Sequence, residues 1–461
     1  MNSIPENRVC IVGGGPGGLA LARAFKMLGL DFDVFERHSD VGGIWDPDNP
    51  GSPMYESAHF ISSKTHSYYS DFPMPDDYPD YPSNKQILAY MRSFASAFGL
   101  YEHITFNTEV LETTFNDEQW TVRLSNGETR NYRWLICVTG TNWHPKLPDW
   151  ADGDFDGEVR HANSYKRMEE FRNKRVLVVG AGNSGCDIAC DAALAADDAF
   201  ISVRRGYHFV PKHIMGKPAD VFGDQGPKLP LWLNQKIFGA LLHFLNGDLR
   251  RFGLPKPDHK VYESHPIMNT QLLHYLGHGD IKAKGDVSHL AGREVVFKDG
   301  SREPIDLVLC ATGYEWKVPY VDTAHFSWRG GRPENYLHMF SQSNPQLYSL
   351  GFTETNGGIY KLFDDMADMI GRAILAHRDS PSDWARFQNR LATYEPDLSG
   401  GVNYVASDRH ATYANIDSMK KEYKELRKHM HWPSIEDGYF EPVRVRPESV
   451  VTPISAAQEA A

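Results

Sequence analysis

The chain begins with an apolar run, a group of glycines and a second apolar run at helical spacing. Residues 9–12 are apolar throughout, glycines at 13, 15 and 18 follow in the spacing G-x-G-x-x-G, and apolar side chains then recur with a helical period to residue 28. This pattern predicts a buried strand, a tight turn and a helix. A further strand pattern at residues 31–35, DFDVF, predicts a second strand, so the chain opens as a β-α-β unit.

The same pattern returns in the middle of the chain. The stretch RVLVVGAGNSGCDIA, directly after Lys174, carries glycines at 180, 182 and 185 in the same spacing, and a strand pattern follows at residues 199–203. The repeated unit predicts an α/β fold with two dinucleotide-binding, Rossmann-like domains. Other patterns predict helices at 84–100 and 359–378, and strands at 104–115, 119–124, 133–138, 293–297, 305–310 and 347–352.

The order of these units predicts that one domain is inserted into the other. We expect residues 1–165 and 310–461 to form the first domain, because a glycine-rich turn at 354–358 can return to it, and residues 166–309 to form the second. Residues 211–275 are predicted to be a mainly helical or irregular insertion in the second domain. Within it, residues 231–245 predict an amphipathic helix that packs on its own protein or on a subunit partner rather than on a membrane.

The first glycine turn has the chemistry of a pyrophosphate site. Its glycines allow the tight turn, the approach of backbone amides to phosphate and close packing of helix on strand. The start of the helix faces the phosphates with free N–H groups and the positive end of its dipole. Glu36, 18 residues after Gly18, can accept ribose hydroxyls and would repel a 2′-phosphate. FAD or NAD therefore fits this turn, and the GGIW stretch at 42–45 favours the longer FAD.

The second glycine turn carries the opposite charge at the corresponding place. Arg204 lies 19 residues after Gly185, and Arg205 follows it. Guanidinium groups bind a 2′-phosphate through paired, charge-assisted hydrogen bonds and can stack on adenine. The second turn is therefore predicted to bind NADPH.

Composition and charge narrow the function class further. The formal net charge is −12, which argues against a nucleic-acid partner because no basic stripe is available for phosphates. Five cysteines, three of them in predicted buried strands, indicate reduced core residues, and strand one begins without a signal-like segment, so we expect a cytoplasmic protein. No apolar run has the length of a membrane span, and no His or Cys cluster has metal-ligand spacing. A homodimer is one of the oligomeric states considered.

Several motifs together resemble the flavin-containing monooxygenase family, the class B flavoprotein monooxygenases that use FAD and NADPH. FDGEVRHANSY at 155–165 matches the family fingerprint F-x-G-x-x-x-H-x-x-x-Y, and DFPMPDDYP at 71–79 and CATGY at 310–314 are also similar. The resemblance implies a glutathione-reductase-like FAD domain with an inserted NADPH domain. The residues predicted to contact FAD are Gly13, Gly15, Pro16, Gly17, Gly18, Glu36, Arg37, Gly43, Trp45 and Val110; those predicted to contact NADPH are Gly182, Asn183, Ser184, Gly185, Arg204, Arg205 and Tyr207; Thr312 is a further predicted cofactor contact.

The resemblance also implies a reaction with O₂ and a small-molecule substrate. NADPH would reduce FAD by hydride transfer, the reduced flavin and O₂ would form a C4a-(hydro)peroxide, and the substrate would take the distal oxygen while water leaves. The family usually has an Asn ten residues before the DFP motif, where this chain has Ile61, which cannot donate a hydrogen bond. His59 is a candidate for the missing polar contact. His59 and Ile61 are therefore the candidate catalytic positions, and we interpret His161 as a core or hinge residue rather than a catalytic one.

Three reactions are considered. Oxygenation of a soft nitrogen or sulfur of a small organic molecule ranks first. Baeyer–Villiger oxygenation of a ketone ranks second, because Tyr55 stands where related enzymes of that type carry an Asp and the fingerprint ends in Tyr165 rather than Trp. An NADPH oxidase or flavin reductase that produces H₂O₂ ranks third, and Ile61 is the residue that favours it.

Overall fold

Two five-stranded parallel sheets organise the chain in a computed structural model that describes residues 7–445. One glycine-rich β-α-β unit lies at the centre of each sheet. Most of the central strands are buried along their whole length, as parallel strands covered by helices on both faces require. The predicted α/β fold with two Rossmann-like units is confirmed.

The first sheet combines strands from both ends of the described chain. All of its pairings are parallel, so the carboxyl ends of its strands lie at one edge, together with the first glycine turn. In sheet order the strands are Leu347–Ser349, Trp134–Cys137, Val9–Val12, Phe32–Phe35 and Ile104–Thr105.

The second sheet is formed by the intervening part of the chain, and its pairings are also parallel. Its outermost strand, Glu158–His161, pairs with Leu307–Cys310, although the predicted boundary at residue 165 assigns it to the first domain. This sheet therefore begins before the predicted boundary. In sheet order the strands are Ile281–Lys284, Asp198–Ser202, Arg175–Val179, Leu307–Cys310 and Glu158–His161.

Two smaller sheets are antiparallel. The single strand predicted at 104–115 is wrong, because Ile104–Thr105 joins the parallel sheet and Val110–Asn116 starts an antiparallel one. Asn107 between them has a left-handed backbone (φ 53°), which interrupts an extended strand. The strand predicted at 293–297 is present as Glu294–Phe297, and it pairs in the other antiparallel sheet. The two sheets are Val110–Asn116, Gln119–Leu124 and Thr129–Tyr132, and Val287–Ala291, Glu294–Phe297 and Arg302–Pro304.

Four short ladders join parts of the chain that are distant in sequence or form tight hairpins. Two of them join segments that are distant in sequence, and the other two are tight hairpins. The pairs are His144–Pro145 with Tyr314–Glu315, His213–Ile214 with Lys217–Pro218, Trp328–Arg329 with Arg332–Pro333, and Glu354–Thr355 with Tyr413–Ala414.

Helices pack on these sheets and supply much of the apolar core. Pro16–Leu28 packs against Tyr360–Asp379, the helix predicted at 359–378. A fully buried ion pair joins the two, with 2.6 Å between Arg23 Nη2 and Asp364 Oδ1. The α-helices within residues 7–445 are Pro16–Leu28, Asn84–Ala97, Asn183–Ala195, Ala219–Asp224, Leu231–Asn246, Gln271–His278, Tyr360–Asp379, Pro381–Thr393 and Ile416–Met430.

The insertion predicted at 211–275 combines helices with long irregular segments and one short hairpin. Its longest helix, Leu231–Asn246, buries Gln235 and Leu242 but leaves large apolar side chains on the opposite face exposed. The prediction that this helix packs on its own protein therefore holds for one face only. In the part of the chain from 7 to 445, no helix has both the length and the apolar content needed to cross a membrane.

Candidate functional site

The first glycine turn has the steric form of a pyrophosphate cradle. Gly13 has a φ of 121°, and a Cβ there would lie 2.8 Å from the carbonyl oxygen of Val138. A Cβ on Gly18 would lie 2.0 Å from the carbonyl oxygen of Gly13, so the start of the helix can approach the strand only because glycine is present. Pro16 and Gly17 occupy the first helical turn, which has no acidic residue. The N-terminus of this helix can therefore receive an anionic phosphate.

Glu36 lies at the end of the neighbouring strand and is 5% exposed. Its carboxylate accepts hydrogen bonds from the Gly14 N–H at 2.6 Å and the His38 N–H at 2.8 Å. Burial raises the pKa of Glu36, and the two N–H donors oppose that rise. A carboxylate has further lone pairs beyond these two bonds, so Glu36 can still accept ribose hydroxyls as predicted.

The remaining predicted FAD contacts lie around this turn. Gly43 approaches Gly15, and a Cβ on Gly43 would lie 3.1 Å from the Gly15 Cα. The Trp45 ring packs edge-on to Phe60, with 4.8 Å between ring centroids. Val110 is buried at the start of its antiparallel strand. Sheet and turn thus place these residues near the first cradle, and their contact with FAD stays a prediction.

An aromatic partner for Arg37 was not predicted. The Arg37 guanidinium lies 4.2 Å from the centroid of the Trp143 ring, and Trp143 donates its indole N–H to the Thr139 carbonyl at 2.6 Å. Trp143 belongs to the linker that leaves the first domain, 106 residues after Arg37. Sequence spacing alone gives no signal for such a contact.

The second glycine turn repeats the geometry of the first. A Cβ on Gly180 would lie 2.6 Å from the Ala311 carbonyl oxygen, and a Cβ on Gly185 would lie 2.0 Å from the Gly180 carbonyl oxygen. A Cβ on Gly182, by contrast, would meet no protein atom within 4 Å. The space beside Gly182 is thus open, as a backbone that receives a pyrophosphate needs.

Two predicted NADPH contacts beside this turn differ in their freedom to bind. The Asn183 side chain is engaged by the insertion: it donates to the Pro266 carbonyl at 3.1 Å and accepts from the Met268 N–H at 2.8 Å. Ser184 is exposed. Asn183 can therefore offer its backbone N–H, whereas Ser184 can also offer its hydroxyl.

The two arginines that follow the second unit are held differently. Arg204 is exposed and makes no ion pair within residues 7–445, whereas Arg205 Nη2 lies 2.7 Å from Asp258 Oδ1. Hydrogen bonds from Arg205 and His259 lower the pKa of Asp258 to about 2. Tyr207 is half-buried close to both guanidiniums. A 2′-phosphate at this place would meet one free cation and one that is shared with a carboxylate.

Further cations reach the same region from distant parts of the chain. Arg332 lies 2.9 Å from Glu354, and Arg409 lies 3.3 Å from the same carboxylate. Burial and the charge of Arg409 lower the pKa of His410 to about 4, and Arg332 and Arg205 add to this effect. A place for Arg332, Glu354 and Arg409 beside the second glycine turn was not predicted, because no local spacing links them to it.

The fingerprint residues join the two linkers between the sheets. His161 Nε2 lies 2.9 Å from the Gly313 carbonyl oxygen, and burial lowers the pKa of His161. Thr312, beside Gly313, donates its hydroxyl to the Lys146 carbonyl. A Cβ on Gly157 would lie 2.5 Å from the Phe155 ring. These contacts tie His161 to the linkers, and its predicted role as a core or hinge residue stays a prediction.

His59 lines a cavity of about 560 Å³ between the 47–82 loop and the helix Asn183–Ala195. Asp187 and Asp191 of that helix also line it, and burial raises the pKa of both carboxyls. They accept hydrogen bonds from the Tyr55 hydroxyl at 3.0 Å and the Tyr165 hydroxyl at 2.9 Å, respectively. His59 itself is exposed, and its Nδ1 lies 2.8 Å from the Ser57 carbonyl.

Ile61 lies in different surroundings from His59. It packs against an apolar cluster of the insertion that includes Val210, Ile214 and Leu242. The adjoining loop is held to the insertion by the Ser63 N–H, which donates to Asp220 at 2.7 Å. The structure therefore assigns Ile61 an apolar packing role and leaves the predicted catalytic role of both residues as a proposal.

No group of three His, Cys, Asp or Glu side chains within residues 7–445 has the arrangement of a metal site. All five cysteines lie within that range, and each is buried with a free thiol. Their burial confirms the interpretation of the cysteines as small core residues.

Comparison with known proteins connects this geometry to a family. A family model described as flavin-binding monooxygenase-like matches residues 6–416. Flavin-containing monooxygenase 5 of Oryctolagus cuniculus is 33% identical over 453 residues, which covers 91% of this chain and 82% of the relative. A probable indole-3-pyruvate monooxygenase of Arabidopsis thaliana, YUCCA9, is 33% identical over 363 residues, which covers 75% of this chain and 84% of the relative.

Solved structures share the fold. Tmm from Pelagibacter sp. strain HTCC7211 superposes with a TM-score of 0.62 at 21% identity, covering 95% of this chain and 89% of that one. The OTEMO complex with FAD and NADP superposes with a TM-score of 0.70 at 17% identity, covering 93% of this chain and 98% of that one. At these identities the likeness shows a common fold.

Proposed function

The chain belongs to the flavin-binding monooxygenase-like family, and on this premise we propose that it is an FAD- and NADPH-dependent monooxygenase that transfers one oxygen atom of O₂ to a soft nitrogen or sulfur of a small organic molecule. The other oxygen atom leaves as water, and NADPH supplies the two electrons. When bound, FAD supplies the chemistry that activates O₂.

The single observation that carries the proposal is the pair of glycine cradles with opposite charge beside them. The first cradle has the buried carboxylate of Glu36, and the second has Arg204 and Arg205. A carboxylate suits the ribose of FAD and disfavours a 2′-phosphate, whereas guanidinium groups favour it. The OTEMO structure, with the same fold, is a complex with FAD and NADP, which supports the same pair of cofactors here.

The residues of this chain would bind and orient the two cofactors and would exclude water from part of the site. The helices that begin at Pro16 and Asn183 offer free N–H groups to the two pyrophosphates. The contact of His161 with Gly313 holds the linkers, and the insertion covers Ile61 with an apolar cluster. The Ile61 side chain is thereby partly shielded from water, and exclusion of water matters because reactive oxygen chemistry in water is lost to side reactions.

Purified protein tests the proposal directly. Addition of NADPH under argon is expected to bleach the flavin absorbance, and admission of O₂ with an amine or a sulfide is expected to yield a product heavier by one oxygen atom. A ketone run in parallel tests the Baeyer–Villiger alternative, because an ester product would replace the present assignment. Protein that is colourless after incubation with FAD would overturn the proposal altogether.

Gly182→Ala separates cofactor binding from folding. Its Cβ meets no protein atom within 4 Å, so the fold is expected to tolerate it at a cost of about 1 kcal/mol or less at the helix N-cap. The methyl group would stand where the pyrophosphate must approach, and we expect KM for NADPH to rise at least about tenfold with an unchanged flavin spectrum. Gly285→Ala, also in open space, is the matched control. An unchanged KM in Gly182→Ala would contradict this role for the second turn.

Ile61 favours a second candidate function, that of an NADPH oxidase releasing H₂O₂. We expect the wild-type protein to release H₂O₂ for part of the NADPH that it consumes, and Ile61→Asn to lower the ratio of H₂O₂ to NADPH by restoring an amide. The substitution should also lower the free energy of unfolding by about 1–3 kcal/mol, because it places an amide against apolar side chains. Ile61→Ala removes the packing without adding an amide and serves as the control. One H₂O₂ for each NADPH in all three proteins, with every substrate, would establish the oxidase.

A further inference from the structure

We propose that Arg332 and Arg409 bind a carboxylate of the substrate, so that the molecule that receives the oxygen atom is an amine or thioether that also carries a carboxylate. The inference rests on the proposed monooxygenase function and narrows its substrate class. The two arginines meet at Glu354, with 2.9 Å between Arg332 Nη1 and Glu354 Oε2 and 3.3 Å between Arg409 Nε and Glu354 Oε1. One carboxylate thus faces two guanidinium groups, which leaves one positive charge without a counterion.

The neighbouring titratable groups do not supply the missing negative charge. Asp408 is the nearest further acid along the chain, and its carboxylate pairs with Lys146 at 2.7 Å. Burial lowers the pKa of His410 to about 4 and the pKa of His265 well below its ordinary value, so both imidazoles are neutral near neutral pH. A charge that is removed from water without a partner is costly, so the surplus cation is expected to receive an anion.

Arg332 is buried with most of its hydrogen-bonding capacity unused. Its side chain is 8% exposed, and its guanidinium carbon lies 3.8 Å from the centroid of the Trp316 ring. Burial lowers the pKa of Arg332, although Glu354 opposes this change. Within residues 7–445 the guanidinium makes a single hydrogen bond, from Nη1 to Glu354. A guanidinium that is stacked on an aromatic face keeps the edge of its planar fork free, and a carboxylate can accept two parallel hydrogen bonds from that edge.

Two further nitrogen atoms of this group are buried and have no hydrogen-bond partner among the described residues. They are Arg409 Nε, which is not aligned with Glu354 for a hydrogen bond, and His265 Nε2. The His265 ring is held in place, because its Nδ1 lies 2.9 Å from the Tyr413 hydroxyl. When that hydroxyl donates to Nδ1, Nε2 carries the proton and can donate to an oxyanion. Buried polar atoms are normally hydrogen-bonded, so unpaired ones beside a surplus cation mark the place of a bound group.

The position of the two arginines favours the substrate over a phosphate of a cofactor. Glu354 follows the strand Leu347–Ser349 of the first sheet, and Trp316 follows the strand Leu307–Cys310 of the second. The group therefore lies at the carboxyl ends of both parallel sheets, where α/β folds bind ligands. Each glycine turn can receive one pyrophosphate, and the arginine pair after the second unit can receive the 2′-phosphate. Every anionic group of FAD and NADPH thus has a site already, and a further anion is expected to come from the substrate.

Paired substrates test the proposal on the FAD-loaded protein. The ω-(methylthio)alkanoates from propanoate to hexanoate are compared with their primary amides, which keep the thioether and the size but lose the charge. For the chain length that is turned over fastest, kcat/KM for the acid is expected to exceed that for the amide at least about tenfold. Arg409→Gln, which changes a side chain that is 40% exposed, should bring this ratio close to one. Arg123→Gln removes a guanidinium from the exposed ion pair with Glu112 and, as the matched control, should keep the wild-type ratio.

Glu354→Gln is expected to change binding in the opposite direction. Without the competing carboxylate both guanidiniums are free for the substrate, so KM for the acid should fall at least about threefold while KM for the amide does not fall. Loss of an ion pair that only stabilised the fold would not lower KM for the acid alone. This variant therefore separates carboxylate binding from a structural role of the two arginines.

The remaining outcomes distinguish this inference from the proposed function. Equal kcat/KM for acid and amide in the wild type would overturn the inference and leave the monooxygenase assignment intact. A higher KM for NADPH in Arg409→Gln, with an unchanged ratio of acid to amide, would assign the cations to the cofactor. In the presence of NADP⁺ and without turnover, the acid should raise the midpoint temperature of thermal unfolding for the wild type and Arg123→Gln but not for Arg409→Gln. Absence of any oxygenated product would count against the proposed function, whereas absence of this temperature shift would overturn the carboxylate site.

Discussion

Gly18→Ala is expected to yield a protein that does not retain FAD. The new Cβ would lie 2.0 Å from the carbonyl oxygen of Gly13, a distance that no pair of non-bonded atoms can hold, so helix and strand must separate at the turn. Gly13 is itself fixed by the nearby Val138 carbonyl, and the turn cannot relax towards the sheet. The amides that approach the pyrophosphate would then be misplaced, and the purified protein should lack visible flavin absorbance.

A matched substitution in the second cradle separates this effect from general misfolding. Gly185→Ala creates the same 2.0 Å contact, with the Gly180 carbonyl oxygen, in the other sheet. That variant should remain yellow and lose rapid reduction by NADPH, while dithionite still bleaches it. The far-ultraviolet circular dichroism of both variants shows whether secondary structure persists. Gly18→Ala that binds one FAD per chain would show that the first turn is not the flavin site.

The elements that sequence predicts well are those whose signal is local. Residue spacing within short segments of sequence predicts the two glycine turns with their flanking strands and helices. It also predicts the helix Tyr360–Asp379, and the structure confirms all of these elements. The strand predicted at 104–115 is two strands, because β-branched and aromatic residues lie on both sides of Asn107 and give no sign of its left-handed backbone, where the chain passes from one sheet to the other. Pairing with two different sheets therefore overrode the local strand propensity.

The same distinction separates the predicted from the missed site residues. Glu36, Arg204 and Arg205 lie at a nearly fixed number of residues after their glycines, since each ends the strand that neighbours the turn. Trp143 beside Arg37 and Arg409 beside Glu354 are contacts between segments that meet only after both sheets have formed. A single sequence has no periodicity or fixed spacing that would predict such contacts, because the contacting residues are far apart along the chain.

Arg204→Gln/Arg205→Gln is expected to reverse the preference for NADPH over NADH. A hydrogen bond to a charged group contributes about 1.5–3 kcal/mol, so loss of both guanidiniums should lower kcat/KM for NADPH by about 10²- to 10⁴-fold. NADH lacks the 2′-phosphate, and its kcat/KM should change less than about threefold. Asp258, freed from Arg205, would then repel the 2′-phosphate and add to the loss.

A control with the same change in net charge makes this result specific. Lys298→Gln/Arg302→Gln removes two positive charges from exposed ion pairs with Asp286 and Glu294 in the same part of the chain and should leave both coenzymes unaffected. Titration with 2′,5′-ADP, monitored through the midpoint temperature of thermal unfolding, reports binding without turnover. 2′,5′-ADP should raise this temperature for the wild type and the control variant only. If Arg204→Gln/Arg205→Gln keeps its preference for NADPH, Arg332 and Arg409 must hold the 2′-phosphate instead. Both lie in this region, where each forms an ion pair with Glu354.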